Sequence, residues 1–169
     1  AQSLVYPMVG DTLELTEKST LDPSEKYRVV SVTPDFGGYC CHVKLDRPLP
    51  ENAETFFLAD TDEVPELEYV NCSARNHFAR SVLIKCRRAL VENCVFSDVF
   101  ESAVKIAAEA SWHEGISTAD VTVRRCRFIN CARLTKKCGG VHVYMEVSDR
   151  KSLSHGLVTI EDNIIDCPD

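Results

Sequence analysis

Six residues of the 169-residue chain have the types and spacing to hold a polar ligand: Lys85, Glu109, Trp112, His113, Glu114 and Glu146. Four of them, Glu109, Trp112, His113 and Glu114, follow the apolar run "AVKIAA" in an insertion that lengthens its repeat. A tryptophan face stacks on the apolar face of a sugar ring, and a carboxylate accepts hydrogen bonds from two hydroxyls at once. The competing reading has Trp112 packing over the N-terminal unit or a neighbouring repeat. His113 could tune a carboxylate by hydrogen bonding. Glu146 ends "GVHVYM" and Lys85 lies in "SVLIKC". Strands at equivalent places in successive repeats would set Lys85, Glu109 and Glu146 side by side. A Lys–Glu ladder of that kind is also an ordinary way to solvate a sheet face. Arg75, Arg80, Arg87 and Arg88 form a basic cluster that suits either a hydroxyl-rich or anionic ligand or the carboxylates of an acidic neighbour. No Ser-His-Asp arrangement, phosphate-binding glycine loop or HExxH motif occurs, so no catalytic residue is named from spacing alone.

These residues must be positioned by strands. "LEYVNCSARN" (67–76), "ALVENCVFSD" (89–98), "VTVRRCRFIN" (121–130) and "VTIEDNIIDC" (158–167) resemble one another. Their Cys72, Cys94, Cys126 and Asn163 align, with separations of 22, 32 and 37 residues. A second element recurs as "SVLIKC", "AVKIAA" and "GVHVYM". Self-similarity near 22 residues with variable insertions marks a stacked solenoid. The expected fold is all-β: a partial right-handed parallel β-helix of about three to four rungs over 67–169. The three cysteines would form an inward ladder, and Asn71 and Asn93 would stack at a left-handed turn. A leucine-rich repeat needs a different pattern and shorter insertions, and a β-sandwich gives no such repetition.

Residues 1–66 read differently. "TLELT" alternates, and "YRVVSV" leads through the turn "TPDFGG" into "YCCHVKLD", which alternates again with Cys41, Val43 and Leu45 on one face. This is a hairpin signal, and a small antiparallel barrel or meander is expected. His42 falls on the polar face and reads as solvated.

Composition bounds the partners. Residues 1–66 carry 13 acidic and 5 basic side chains, and 67–169 carry 13 and 14. That balance lacks the basic face nucleic acid requires. No apolar run reaches membrane-spanning length. The nine cysteines include no CxxC pair, and they are expected as mostly buried thiols. Few rungs and no visible cap imply that the open ends are covered by further rungs of a longer chain or by an oligomer.

The succession "VGDTLEL", "YRVVSVTPDFGGYCCHVKLDRPLP", "RNHFARSVLIKCRRALVENCVFSDVFESAVKIAAEASWHEG" and "ADVTVRRCRFINC" resembles the β-helix enzymes of glycoside hydrolase family 110, with their inserted small barrel. The likeness covers nearly the whole chain and is most specific over 75–128. It implies an exo-acting α-1,3-galactosidase that removes terminal galactose with inversion, using neither metal nor cofactor. By analogy it implies a periplasmic or secreted location. Inversion needs two carboxyl groups roughly 6.5–9.5 Å apart. The family's catalytic aspartates lie on rungs before the barrel, which here would precede Ala1. Glu161 and Asp162 are adjacent and face opposite ways on a strand, so they form no substitute pair. The chain is thus expected to supply a sugar-binding flank in which Trp112 and Glu114 are contacts. A non-catalytic carbohydrate-binding or adhesin β-helix, and a lyase acting on an acidic polysaccharide, are the alternatives.

Overall fold

The computed structural model describes residues 6–35, 37, 40–109, 115, 117–134, 138–147, 149 and 152–167. Apart from one 3-10 turn at Ala53–Thr55, every regular element among them is a strand. This follows from the β-branched, alternating sequence.

Four strands form an antiparallel sheet: β1 (Thr12–Glu17), β2 (Pro23–Pro34), β3 (Cys41–Leu45) and β4 (Phe56–Asp60). Their order is β3-β2-β1-β4. The edge strands β3 and β4 do not pair, so the sheet is an open half-barrel rather than a closed one. The expected β2–β3 hairpin is present, pairing Val32 with Val43 and Thr33 with His42. On β3 the alternation holds, with Cys41, Val43 and Leu45 half-buried and His42 exposed. The alternation on β1 does not give a wet face. Leu13 and Leu15 are buried, and so are Glu14 and Thr16. The reason is electrostatic docking: Arg87 of the C-terminal half reaches Glu14, and Lys26 lies 3.7 Å from the same carboxylate.

The rest of the chain builds three parallel sheets, to each of which the first three repeats give one strand and to two of which the fourth adds another. The first repeat supplies β5 (Leu67–Val70), β6 (Ser73–Arg75) and β7 (Val82–Ile84). The second supplies β8 (Arg88–Glu92), β9 (Val95–Ser97) and β10 (Val104–Ala108). The third supplies β11 (Asp120–Arg124), β12 (Arg127–Ile129) and β13 (Val141–Met145), and the fourth β14 (Leu157–Glu161) and β15 (Ile164–Asp166). The sheet orders are β14-β11-β8-β5, β15-β12-β9-β6 and β13-β10-β7. Each aligned sequence motif is therefore two strands joined by a sharp bend.

The bends have a chemical cause. Asn71, Asn93, Arg125 and Asp162 all adopt φ between 52° and 57°. Asparagine and aspartate tolerate that left-handed region better than other residues with a Cβ. The Asn93 amide donates to Asn71 Oδ1 at 2.6 Å, as the expected stack requires. A second ladder runs parallel to it through Asn76, Asp98 and Asn130, also left-handed, with Asn130 Nδ2 donating to Asp98 Oδ1 at 2.6 Å.

Inside, equivalent positions stack. Tyr69, Phe96 and Phe128 form an aromatic column with centroids 6.1 and 5.3 Å apart. Cys94 Sγ donates to Tyr69 O and Cys126 Sγ to Val91 O, the register partner of Tyr69. Asn163 takes the next place: its Nδ2 donates to Val123 O at 2.9 Å and its Oδ1 accepts from Cys126 N at 2.8 Å. All nine cysteines are unpaired thiols, and Cys86, Cys94, Cys126 and Cys131 are buried. Burial raises the pKa of Cys131 to about 11, so it is inert as a nucleophile.

Candidate functional site

The outward face of the β7–β10–β13 sheet holds the cluster. Strand parity puts Lys105, Ala107 and Glu109 on one side of β10, opposite the core residues Val104, Ile106 and Ala108. Lys85 follows β7 with the same parity, and His142 and Tyr144 have it on β13. The Lys85 ammonium lies 2.7 Å from Glu109 Oε2, and the Lys105 ammonium 2.6 Å from Oε1. All three side chains are largely shielded from solvent. Lys105 Nζ also stands 4.8 Å from the centre of the Tyr144 ring, a cation–π distance. His142 tilts against the same ring at 5.9 Å.

Glu109 is held in its charged form. The hydrogen bond from Lys105, then that from Lys85, lowers its pKa from 4.5 to about 2. A carboxyl group with that pKa carries no proton to give at neutral pH. It is a permanent acceptor, flanked by two donors and a half-exposed aromatic face. Such a set offers an acceptor and two donors of the kind that hydroxyl groups can meet, and an ionised Glu109 has no proton to supply as a general acid at neutral pH.

Of the residues predicted from sequence, Lys85 and Glu109 are in direct contact. Glu146 continues the same edge: its backbone N–H donates to Ala108 O at 3.0 Å, directly beside Glu109. Trp112, His113 and Glu114 lie outside the described residues. Their described neighbours are informative. Glu109 grips the end of Lys85, and a Cβ at Gly115 would meet the Lys85 Cβ at 2.6 Å, so both flanks of the insertion meet on one lysine. Lys105 and Tyr144 were not singled out from sequence. The signal available for Lys105 was parity: it lies two and four residues before Ala107 and Glu109 on one strand face.

Three of the four arginines of the basic cluster are engaged elsewhere. Arg87 pairs with Glu14 and donates to Ser117 O and Oγ, each at 3.1 Å. Arg88 meets Glu66 at 3.1 Å, and Arg80 meets Glu101 at 3.7 Å. A groove of about 580 Å³ runs along the seam between the two halves, lined in part by Lys26, Arg87, Arg88 and Thr118. Its cations face the carboxylates just named, which leaves little uncompensated charge for an anionic ligand. Among the described residues, no three His, Cys, Asp or Glu side chains converge to hold a metal ion. None of their helices is long and apolar enough to cross a membrane.

No family model matches the chain, and no curated protein matches it.

Proposed function

We propose that the parallel half is a run of β-helix rungs and that its outer β7–β10–β13 face is a carbohydrate-binding flank. In this reading the chain is a segment of an inverting glycoside hydrolase acting on terminal α-linked galactose, in a periplasmic or secreted setting. The reacting carboxyl pair comes from residues outside these 169, and Trp112 and Glu114 border the sugar. The observation that carries the reading is the Lys85–Glu109–Lys105 cluster beside Tyr144. It offers a fixed acceptor, two donors and a ring face, the minimum set for a hexose. The lowered pKa of Glu109 supports contact rather than bond cleavage.

The same lowered pKa favours, as a second reading, a carbohydrate-binding or adhesin β-helix without chemistry of its own. The lyase alternative has less support, because Arg80, Arg87 and Arg88 are already paired with carboxylates.

Titration of the 169-residue chain with methyl α-galactoside, followed by calorimetry or NMR, tests the binding. Millimolar affinity is expected, weakened at least tenfold by Glu109→Gln and by Tyr144→Ala. No binding of any galactoside at ~50 mM, about tenfold above the Kd that a binding free energy of about −3 kcal/mol corresponds to, would sink the reading. Hydrolysis separates the two alternatives. A longer chain carrying this sequence should release galactose from terminal α-1,3-galactosides as the β-anomer, whereas an adhesin releases none.

A further inference from the structure

The groove of about 580 Å³ at the seam of the two halves has no part in the proposed function. Small-molecule sites occupy roughly 300–1,000 Å³ and favour such junctions. Each unit supplies a wall. Pro23 and Lys26 lie on β2, Arg87 and Ala119 just before β8 and β11, and Pro65 and Glu66 just before β5. These walls run beside three successive repeats and not across an end of the stack, so rungs added at either end would leave them in place.

We propose that the groove is a second ligand site, which takes an uncharged polyhydroxy ligand of the neutral-sugar class. It is independent of the β10 face and does not rest on galactoside binding there. Charge selects the class. Lys26 and Arg87 both meet the Glu14 carboxylate, and Arg88, also on the wall, meets Glu66 at 3.1 Å. An anion would have to draw a cation away from one of these carboxylates. A cation would face three positive side chains. A hydroxyl group both donates and accepts, so it joins such a pair without breaking it.

Distance defines one place for a hydroxyl. The Glu14 side chain is only 5 % exposed, and Arg87 holds its Oε1. Its Oε2 has Lys26 Nζ at 3.7 Å, beyond hydrogen-bond length. A hydroxyl oxygen about 2.8 Å from each atom closes that gap, accepting from Lys26 and donating to Glu14. Arg88 and Glu66 are 68 and 66 % exposed and present a donor beside an acceptor to a second hydroxyl. Pro23, Pro65 and Ala119 add C–H surface for the apolar face of a ring.

Both units build the groove, so its ligand binds only while they are docked. Mass action then makes the ligand a brace for the seam. At ten times its Kd, openings of β1 and β2 that part the units should become about tenfold rarer.

NMR titration of the 169-residue chain with galactose, galacturonate and galactosamine tests it, since the three rings differ chiefly in charge. Galactose should shift the backbone amides of Lys26, Glu66, Arg88 and Ala119, in Glu109→Gln as in wild type. The two charged sugars should bind about tenfold more weakly, the worth of one hydrogen bond lost to a displaced ion pair. Ala119→Phe, at an exposed position, should fill the groove and abolish the shifts. Lys26→Ala, at a side chain 60 % exposed, should weaken binding about tenfold and carries the test if the phenylalanine disturbs the fold. Amide exchange in β1 and β2 should slow as galactose saturates. No shift at the groove at ~50 mM galactose overturns the proposal. So do shifts that survive substitution in folded protein, or galacturonate binding as tightly as galactose. Shifts confined to Lys105 and Tyr144 would uphold the β10 site and overturn this one, and shifts confined to the groove would do the reverse.

Discussion

Glu109 joins the sequence reading to the chemistry most directly. Its pKa is lowered to about 2, chiefly by Lys105 and then by Lys85. A lowered carboxyl pKa adds stability that is fully present above the ordinary value of 4.5. That stability is lost as pH falls from about 4.5 toward 2. Glu109→Gln should therefore destabilise the protein at pH 7, by about 1–2 kcal/mol for two shielded ammonium groups left without their anion. Urea denaturation should show the gap to wild type constant above pH 5 and closing below pH 4. A gap unchanged down to pH 3 would mean that the ion pairs contribute nothing. Lys85 and Glu109 were legible as neighbours because equivalent strand ends in successive repeats come together. Lys105 was missed, since repeat alignment compares positions between strands whereas this contact depends on four residues along one strand. The cysteines were read as mostly buried thiols; four of the nine are buried, Cys72 and Cys167 pack partly buried against them, and Cys40 is exposed. Native protein should expose Cys40 quickly to a thiol reagent, with Cys86, Cys94, Cys126 and Cys131 reacting only as it unfolds to reveal nine thiols.

Bends between strands determine whether repeats stack in register. Asn93 combines a φ of +52° with the 2.6 Å amide bond to Asn71, so two effects meet at one residue. Asn93→Gly removes the bond but also the left-handed Cβ, whereas Asn93→Ala removes the bond and keeps that Cβ without asparagine's tolerance of the left-handed region. The alanine variant should lose about 1–2 kcal/mol and the glycine variant less. Chemical denaturation that ranks them the other way would show that the backbone there is not strained. Arg125 occupies the same bend in the third repeat at +53° without an asparagine's tolerance. Its guanidinium meets Glu92 at 3.0 Å, but Arg124 already meets that carboxylate at 3.2 Å. Arg125→Asn should hence stabilise the fold by about 0.5 kcal/mol, by relieving strain and extending the amide ladder. The first ladder was legible because Asn71 and Asn93 fall at matching places in the repeat. The second, through Asp98 and Asn130, was not, because mixed Asn and Asp at a motif's end read as ordinary loop chemistry.

The two halves of the molecule meet through charge, and the uneven distribution of acids and bases along the sequence anticipates it. The open antiparallel sheet offers Glu14, only 5 % exposed, and the parallel half answers with Arg87. Around this ion pair, Asp149 N donates to Ser19 O, and the Ser152 hydroxyl donates to Thr20 O. Barrel closure could not be read from alternation, which sets the faces of the strands and not whether the edge strands β3 and β4 meet. Two units with separate cores, joined among the described residues by polar contacts such as these, should unfold with different stabilities. Arg87→Ala leaves Glu14 with only Lys26, at 3.7 Å, in a site nearly closed to water. Breaking a buried pair from one side costs about 3–5 kcal/mol. That loss should fall on β1 and β2, whose amides should exchange hydrogen markedly faster. The amides of β8 and β11 should change little, because the core around Val91, Val123 and Phe96 is built within the parallel half. Glu14→Gln in the Arg87→Ala background should recover part of the loss, since it removes the stranded charge. Uniform acceleration across both halves would show instead that they unfold as one cooperative unit, with Arg87 acting on the whole.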